Sequence, residues 1–305
     1  MRNTLLTITG PTACGKTAVA AECAYRLQGE IISADSRQVF RGMDIGTGKD
    51  LKDYDIHGIR IPRHLIDIRD AGEEYSVYQF LNDFKVAYQD IISRGRMPIL
   101  CGGTGLYVDS VVRGYALSDA PMDDDFRRSI ASCDNDELIQ RLAALTKLHN
   151  HTDTETRERL VRALEIAEYQ QAHPDRHVQL PPMRHVIIGI SYPRQQVIEH
   201  IGVRLRQRLQ EGMIEEVQRL IDTGVPIARL LRYGLEYKHV TRFLLGECSR
   251  QQMEKDLYTD IRRFSKRQMT WFRRMERNGV NILWIDGTMP LSDKVDEILA
   301  RAKIC

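Results

Sequence analysis

The sequence lacks a paired-cysteine pattern and a long apolar run. Its six cysteines form no C-x-x-C pair and no regular framework, which argues against a disulfide scaffold or a zinc site and favours reduced thiols. No stretch approaches the roughly 18 apolar residues of a membrane span, and the N-terminal residues show no signal-peptide pattern. We therefore expect a cytoplasmic protein without a membrane partner.

A large net charge is also missing. The 44 Lys and Arg residues nearly balance the 42 Asp and Glu residues and leave a net charge of +2. A surface that binds nucleic acid must therefore come from local clusters of basic residues. The chain does have 305 residues, 42% of them hydrophobic, which is enough to bury the core of one large domain or two modest ones.

The clearest motif is Gly10-Pro-Thr-Ala-Cys-Gly-Lys-Thr17, which matches the Walker A pattern G-x-x-x-x-G-K-T. It lies between a predicted strand at 4–9 and a predicted helix at 16–27. In such a loop, backbone N–H groups surround a diphosphate, the lysine neutralises phosphate oxygens and the last hydroxyl is available to Mg²⁺. The predicted diphosphate-binding residues are Gly10, Pro11, Thr12, Ala13, Cys14, Gly15, Lys16 and Thr17, with Thr17 as the metal ligand.

Strands and helices alternate along much of the chain. Further strands are predicted at 30–33, 97–101, 185–190 and 280–285, with a long amphipathic helix at 76–94. This alternation predicts an α/β fold with a P-loop NTPase-like parallel sheet flanked by helices. Residues 119–182 show only charged helical stretches. We therefore predict an all-helical insertion domain at 119–182 and a discontinuous P-loop core domain formed by 1–118 and 183–305.

Polar residues follow two of the predicted strands, at the sheet edge where open α/β sheets bind ligands. Asp35 could be a metal ligand, a general base, or simply a turn or N-cap residue. Thr104, in a second Gly-rich segment, could line a substrate channel or cap the following helix. The Gly-rich segment Gly42 to Lys49 is, taken alone, typical of a flexible connector.

Basic residues cluster in the insertion and near the C-terminus. Arginines also recur on the predicted helix that contains Arg204, where one of them could reach a diphosphate across the cleft. Clusters of this kind can bind a phosphate backbone, although a solvated helix face has the same composition. The basic residues of the two clusters are Arg157, Arg159 and Arg162, and then Arg262, Arg263, Lys266, Arg267, Arg273, Arg274 and Arg277.

Seven segments together resemble the tRNA dimethylallyltransferase family, and they occur in the family's order between residue 10 and about residue 272. They are Gly10 to Thr17, Asp35-Ser36, Gly42 to Lys49, His64-Leu-Ile-Asp67, Gly102 to Tyr107, Arg162-Ala-Leu-Glu165 and Lys266 to Trp271. The family's eukaryotic members carry a zinc-finger extension. None follows here, so the bacterial type is expected.

The resemblance implies a reaction. A dimethylallyl group would pass from dimethylallyl diphosphate to the exocyclic N6 of the adenosine immediately 3′ of the anticodon, which gives N6-isopentenyladenosine and diphosphate. By the family pattern, Asp35 would be the general base, Thr104 would lie in the reaction channel, and Arg204 aligns with an arginine that holds the leaving diphosphate. These three are the predicted catalytic residues, and Mg²⁺ is the expected cofactor.

The resemblance also implies contacts with the anticodon stem-loop of tRNA. The target adenine must leave its stack to react, and the helical insertion would clamp the RNA. We expect a monomer. The predicted tRNA-binding residues are Asp35, Ser36, Arg37, Gln38, Thr104, Arg127, Arg159, Leu160, Val161, Arg162, Ala163, Tyr237, Lys238, Lys266 and Arg267.

Two positions depart from the family's pattern. Cys14 stands where serine is usual, which places a thiol beside the predicted site. Glu236 precedes Tyr237 and Lys238, where many members carry glycine. Three other functions share parts of this pattern: an adenylate isopentenyltransferase acting on free nucleotide, a small-molecule P-loop kinase, and a non-catalytic P-loop protein that binds tRNA.

Overall fold

The structure, a computed structural model, describes residues 3–115, 117–145, 154–173 and 175–303. Its strands in chain order are β1 (Thr4–Thr9), β2 (Gly29–Ser33), β3 (Asp55–Ile56), β4 (Ile59–Arg60), β5 (Arg63–His64), β6 (Met97–Gly102), β7 (Arg184–Ser191) and β8 (Leu283–Asp286). Six of them form a parallel sheet in the order β5-β2-β6-β1-β7-β8, while β3 and β4 form a small antiparallel pair.

Helices make up most of the remaining chain. In chain order they are α1 (Lys16–Leu27), α2 (Val77–Ser93), α3 (Gly105–Arg113), α4 (Asp124–Ser129), α5 (Asn135–Leu145), α6 (Arg157–Ala172), α7 (Arg194–Gln210), α8 (Met213–Asp222), α9 (Ile227–Leu230), α10 (Leu235–Leu244), α11 (Arg250–Arg277) and α12 (Leu291–Ala302). In the part of the chain that the structure describes, no helix is long and apolar enough to cross a membrane.

The sheet is buried on both faces. Every residue of β1, β2 and β6 is buried, as expected for parallel strands covered by helices on either side. Leu6 and Ile8 of β1 share one apolar core with Ala20 of α1 and Val295 of α12. The predicted α/β class with a parallel sheet flanked by helices is confirmed.

The strand order brings the chemically informative loops together. β1 lies between β6 and β7, and β6 lies between β1 and β2. Because the strands are parallel, the segments after β1, β2, β6 and β7 all leave the sheet at the same edge. This edge is where open α/β sheets bind their ligands.

The chain divides into two compact units. Unit 1 comprises Met1–Arg113 and Pro181–Cys305, and unit 2 comprises Gly114–Leu180. Unit 2 has its own apolar core, with Leu138 of α5 and Leu160 of α6 among the buried residues, and its described residues contain helices but no strand. Unit 2 begins and ends slightly before the insertion domain that we predicted at 119–182. The domain boundaries therefore stay a prediction.

Candidate active site

The loop between β1 and α1, the predicted diphosphate loop at residues 10–15, has the geometry of an anion-binding loop. Gly10 has φ +152° and a Cβ there would lie 2.7 Å from the Ile190 carbonyl oxygen, so only glycine fits. Gly15, with φ +71°, precedes α1, whose first turn has no side-chain cap. The free N–H groups of that turn are therefore available to an anion. Lys16 Nζ lies 3.4 Å from the Pro11 carbonyl oxygen and folds back over the loop.

The Cys14 thiol is buried beside the first glycine of this loop. Its side chain is buried in the core beneath β1 and α1, and its sulfur would lie 2.9 Å from a Cβ placed on Gly10. The expectation of a thiol beside the site therefore stays a prediction, with the thiol buried. Because backbone N–H groups make the anion contacts in such loops, cysteine in place of serine leaves them unchanged.

Thr104 and the segment after β2 are joined by hydrogen bonds. The Ser36 N–H donates to Thr104 Oγ1 at 3.1 Å, and the Thr104 N–H donates to the Ala34 carbonyl oxygen at 3.3 Å. The Thr104 carbonyl oxygen accepts from the Tyr107 N–H at 2.9 Å. The backbone carbonyl of Thr104 thus accepts a hydrogen bond at the start of α3, while its side-chain hydroxyl holds the segment that contains Asp35 in place.

One oxygen of the Asp35 carboxylate is used by a local turn. Oδ1 accepts a hydrogen bond from the Arg37 N–H at 2.9 Å, the usual arrangement of an Asx turn. No hydrogen bond joins Oδ2 to any residue that the structure describes. Asp35 is half-buried, so the second oxygen is held in place and remains open to a ligand.

Gln268 of α11 joins the diphosphate loop to the Thr104 segment. Its Oε1 accepts from the Thr12 N–H at 2.8 Å, and its Nε2 donates to the Gly103 carbonyl oxygen at 2.8 Å. The side chain is buried, and a Cβ on Gly103 would lie 2.6 Å from Nε2. The predictions did not include Gln268, although it lies inside the Lys266 to Trp271 segment.

Arg204 of α7 lies beside the Gly-rich segment 42–49. Its Nη2 donates to the Gly48 carbonyl oxygen at 3.4 Å and forms an ion pair with Asp50. The same carbonyl oxygen accepts from Gln38 Nε2 at 3.1 Å. Arg204 is thereby linked to the segment that carries Asp35.

The Gly-rich segment 42–49 is an ordered loop rather than a flexible connector. The Glu216 carboxylate, 2% exposed, accepts from the N–H groups of Asp44, Ile45 and Gly46 at 2.7–3.0 Å. It also accepts from the Tyr237 hydroxyl at 2.6 Å. The interpretation of this segment as a connector was therefore wrong, and Glu216 was missed because its partners lie far away in sequence.

Lys49 closes the same loop from the other side. Its ammonium group is buried and donates to the Phe40 carbonyl oxygen at 2.7 Å. It also forms an ion pair with Asp44 at 2.6 Å and another with Asp67. Lys49 is therefore a structural cation, and its charge is used inside the protein.

The predicted tRNA-binding residues of unit 1 differ from one another in how far their side chains are buried. Arg37 is half-buried, burial lowers its pKa, and its guanidinium forms no hydrogen bond or ion pair with a described residue. Tyr237 is only 1% exposed, so its side chain lies in the core and a role for it on the surface is not supported. Lys238, Lys266 and Arg267 are exposed, and their contact with RNA stays a prediction.

In unit 2, two of the predicted tRNA-binding arginines share one buried carboxylate. Glu165 of α6 accepts from Arg127 Nε and Nη2, both at 3.1 Å, and from Arg162 Nη1 at 2.5 Å. Arg159 is exposed and pairs with Glu155. Leu160 lies in the core of the unit, so its side chain is not available to RNA, whereas the half-buried Val161 and Ala163 stay predictions.

A basic cavity of about 640 Å³ opens beside the diphosphate loop. Its lining includes Pro11, the end of β7 and the exposed side of α11. None of the lining residues is acidic, so the cavity favours an anionic ligand. The five basic residues in its lining are Arg194, Arg262, Arg263, Lys266 and Arg273.

A parallel sheet in which one of the two central strands leads into a loop of the Walker A pattern and then a helix defines the class of P-loop α/β proteins. The IPP transferase family model matches residues 38–275. The chain belongs to this family.

Known proteins resemble the chain over nearly its whole length. It is 49% identical to tRNA dimethylallyltransferase 2 of Porphyromonas gingivalis over 97% of this chain and 98% of that protein. It is 51% identical to tRNA dimethylallyltransferase 2 of Pelobacter propionicus over 94% of this chain and 90% of that protein. The crystal structure of the full-length tRNA isopentenylpyrophosphate transferase from Bacillus halodurans matches with a TM-score of 0.73 and 34% identity, over 99% of this chain and 96% of that one.

Proposed function

We propose that the protein transfers a dimethylallyl group from dimethylallyl diphosphate to N6 of the adenosine next to the anticodon in tRNA. The observation that carries this proposal is the joining of the diphosphate loop to the Asp35 and Thr104 segments at one sheet edge, with Gln268 bonded to both sides. A diphosphate ester and a proton acceptor are the two groups that such a transfer needs side by side. The similarity to proteins named tRNA dimethylallyltransferase supports the same reaction.

The exocyclic amine of adenine is a poor nucleophile and must lose a proton as it attacks. The free Oδ2 of Asp35 accepts that proton. The new bond joins N6 to C1 of the allyl group, while the bond between C1 and the diphosphate oxygen breaks and leaves its electron pair on the diphosphate. The loop N–H groups, Lys16 and Arg204 stabilise the developing negative charge.

Mg²⁺ is the proposed cofactor. The described residues contain no group of three His, Cys, Asp or Glu side chains that could hold a metal alone. A site of this kind suits Mg²⁺, which keeps several waters and binds substrate phosphates together with one or two protein oxygens. Thr17, in the first turn of α1, would supply that oxygen, and the ion would neutralise diphosphate charge.

Basic side chains of both units are proposed to hold the RNA. Arg127, Arg159 and Arg162 in unit 2, and Lys266 and Arg267 on α11, carry charges suited to a phosphate backbone. The target adenine would leave its stack and enter the site base first. We propose that the protein carries out the transfer as a monomer, because the diphosphate loop, Asp35 and Thr104 all belong to one chain.

The decisive experiment offers three acceptors side by side. Purified protein, Mg²⁺ and dimethylallyl diphosphate are incubated with an anticodon stem-loop RNA, with AMP and with ADP, and the prenylated products are separated. We expect transfer to the RNA alone. Transfer to AMP or ADP without transfer to RNA would reject the tRNA reaction in favour of a free-nucleotide isopentenyltransferase. Phosphoryl transfer from ATP to a small acceptor would instead indicate a kinase.

A further inference from the structure

Arg208 is a buried arginine whose hydrogen-bonding capacity is largely unused. It lies one helical turn after Arg204 on α7 and is 8% exposed. A guanidinium carries five N–H donors, yet among the described residues Arg208 makes a single long contact, from Nη1 to Glu236 Oε1 at 3.5 Å. Its Nε is buried and has no partner among the residues that the structure describes. Buried donors without partners are unfavourable, so this side chain is suited to bind an anion.

Gly48 is the residue that lets two arginines approach each other. A Cβ on Gly48 would overlap the guanidinium of Arg208 and crowd that of Arg204, and φ is +63° at this position. Burial, and then the proximity of Arg204, lower the pKa of Arg208. Two positive charges held this close repel each other, and an anion bound between them or beside them would offset the repulsion.

The carboxylates already present satisfy these arginines only in part. Asp50 pairs with Arg204. Glu236 is a weak partner for Arg208, because the contact is long and burial raises the pKa of Glu236 and so disfavours its charged form.

We propose that Arg208 is a second phosphate-binding arginine of the active site, which acts with Arg204 on a phosphate group at Gly48. The proposal rests on the proposed function. Planar guanidinium groups bind phosphate oxygens in pairs. Gln38, in the segment that contains Asp35, donates to the same Gly48 carbonyl oxygen as Arg204, which links Gly48 to the candidate site. The phosphate therefore belongs either to the leaving diphosphate or to the RNA backbone.

The test compares direct binding of two ligands by calorimetry, so that it does not depend on turnover. Dissociation constants are measured for inorganic diphosphate with Mg²⁺ and for the stem-loop RNA. The central variant is Arg208→Met combined with Glu236→Gln, which leaves no carboxylate without its partner. Arg208→Lys keeps the positive charge but lacks the planar guanidinium that donates two parallel hydrogen bonds. The control is Arg206→Gln, because Arg206 is exposed on the same helix.

We expect the double variant to weaken binding of one ligand about tenfold or more, with partial recovery in Arg208→Lys and no change in Arg206→Gln. Weaker diphosphate binding would identify the leaving group as the source of the phosphate. Weaker RNA binding with a smaller salt dependence would identify the backbone. Glu236→Gln alone should strengthen the affected binding, because it removes the competing carboxylate.

The proposal would be overturned by a double variant that melts at the wild-type temperature and binds both ligands within about twofold of wild type. The proposed function has a separate readout, which is prenyl transfer by the wild-type protein. Absence of transfer with a clear loss of binding in the double variant would reject the reaction while retaining the phosphate site.

Discussion

Gln268 accepts a hydrogen bond from the backbone N–H of Thr12 at 2.8 Å across 256 residues of sequence. The same side chain donates to the Gly103 carbonyl oxygen at 2.8 Å. One buried amide therefore fixes the distance between the loop proposed to bind the diphosphate and the strand end that carries Thr104. Both the Oε1 acceptor and the Nε2 donor of the amide are needed to join the two segments.

We predict that Gln268→Met uncouples the two loops. The change leaves the Thr12 N–H and the Gly103 carbonyl oxygen without partners, which should lower the free energy of unfolding by about 1–3 kcal/mol. Misplaced reactants should also lower kcat more than they raise either KM. Urea unfolding and steady-state kinetics measure the two effects. Gln251→Met, at an exposed position of the same helix, is the control, and wild-type kcat in the Gln268 variant would contradict the bridging role.

Asp35→Ala should retain diphosphate binding and lose most of the turnover. Removal of a general base typically lowers the rate by about 10²–10⁴-fold, whereas the diphosphate loop is a separate segment. Calorimetry with diphosphate and single-turnover prenyl transfer separate these quantities. Asp70→Ala, which removes an exposed carboxylate paired with Arg41, should change neither. Equal losses of binding and rate in Asp35→Ala would indicate a metal or structural role instead.

Glu165→Gln should weaken RNA binding without affecting the allyl substrate. The carboxylate holds Arg127 and Arg162 in place, and each arginine is only about a third exposed, 34% and 36% respectively. Loss of this charged acceptor should raise the KM for RNA about tenfold and leave the KM for dimethylallyl diphosphate unchanged. Glu168→Gln, which removes a half-exposed partner of Arg141, is the matched control. An unchanged KM for RNA would show that the arginines need no such support.

Glu30→Gln should destabilise the fold in a pH-dependent way. Hydrogen bonding from Arg94 holds the pKa of Glu30 below its ordinary value of 4.5, and His64 Nε2 lies 2.8 Å away. A carboxylate with a lowered folded-state pKa stabilises the fold above its unfolded pKa, and this contribution is lost as the pH falls through the folded-state pKa. We expect a loss of about 1–2 kcal/mol at neutral pH.

Urea unfolding of wild type and Glu30→Gln across the acid range checks this prediction. The difference between the two proteins should disappear at low pH, where the wild-type carboxylate is also protonated. A difference that stays constant down to about pH 3 would mean that the charge of Glu30 is not what stabilises β2 against β5.

Local sequence signals predicted the parts of the fold that depend on neighbouring residues. β1 and α1 begin and end where predicted, because an apolar run, a Gly-rich loop and an alanine-rich helix follow one another directly. The strand predicted at 280–285 begins later, at Leu283. β5 was not predicted, because it has only two residues, Arg63 and His64, and no apolar pattern.

The candidate site was predicted less completely, because much of it is built by long-range hydrogen bonds. Glu216 binds a loop about 170 residues away in sequence, and no local pattern marks such an acceptor. Asp35 and Thr104 were candidates because they follow predicted strands, and the resemblance supplied their roles and that of Arg204. It also selected Tyr237 and Leu160, whose side chains belong to cores, because a motif match does not separate residues that face a ligand from those that support them.

The separate core of unit 2 has an evolutionary consequence. Ile130, Leu142 and Leu164 are buried within the unit itself, so its surface can change while the sheet of unit 1 keeps its packing. Substitutions on its surface can therefore accumulate without disturbing the core around that sheet. Under the proposed function, a lineage could shift its preference among substrate RNAs by small steps in unit 2, while the residues proposed for the transfer in unit 1 stay unaltered.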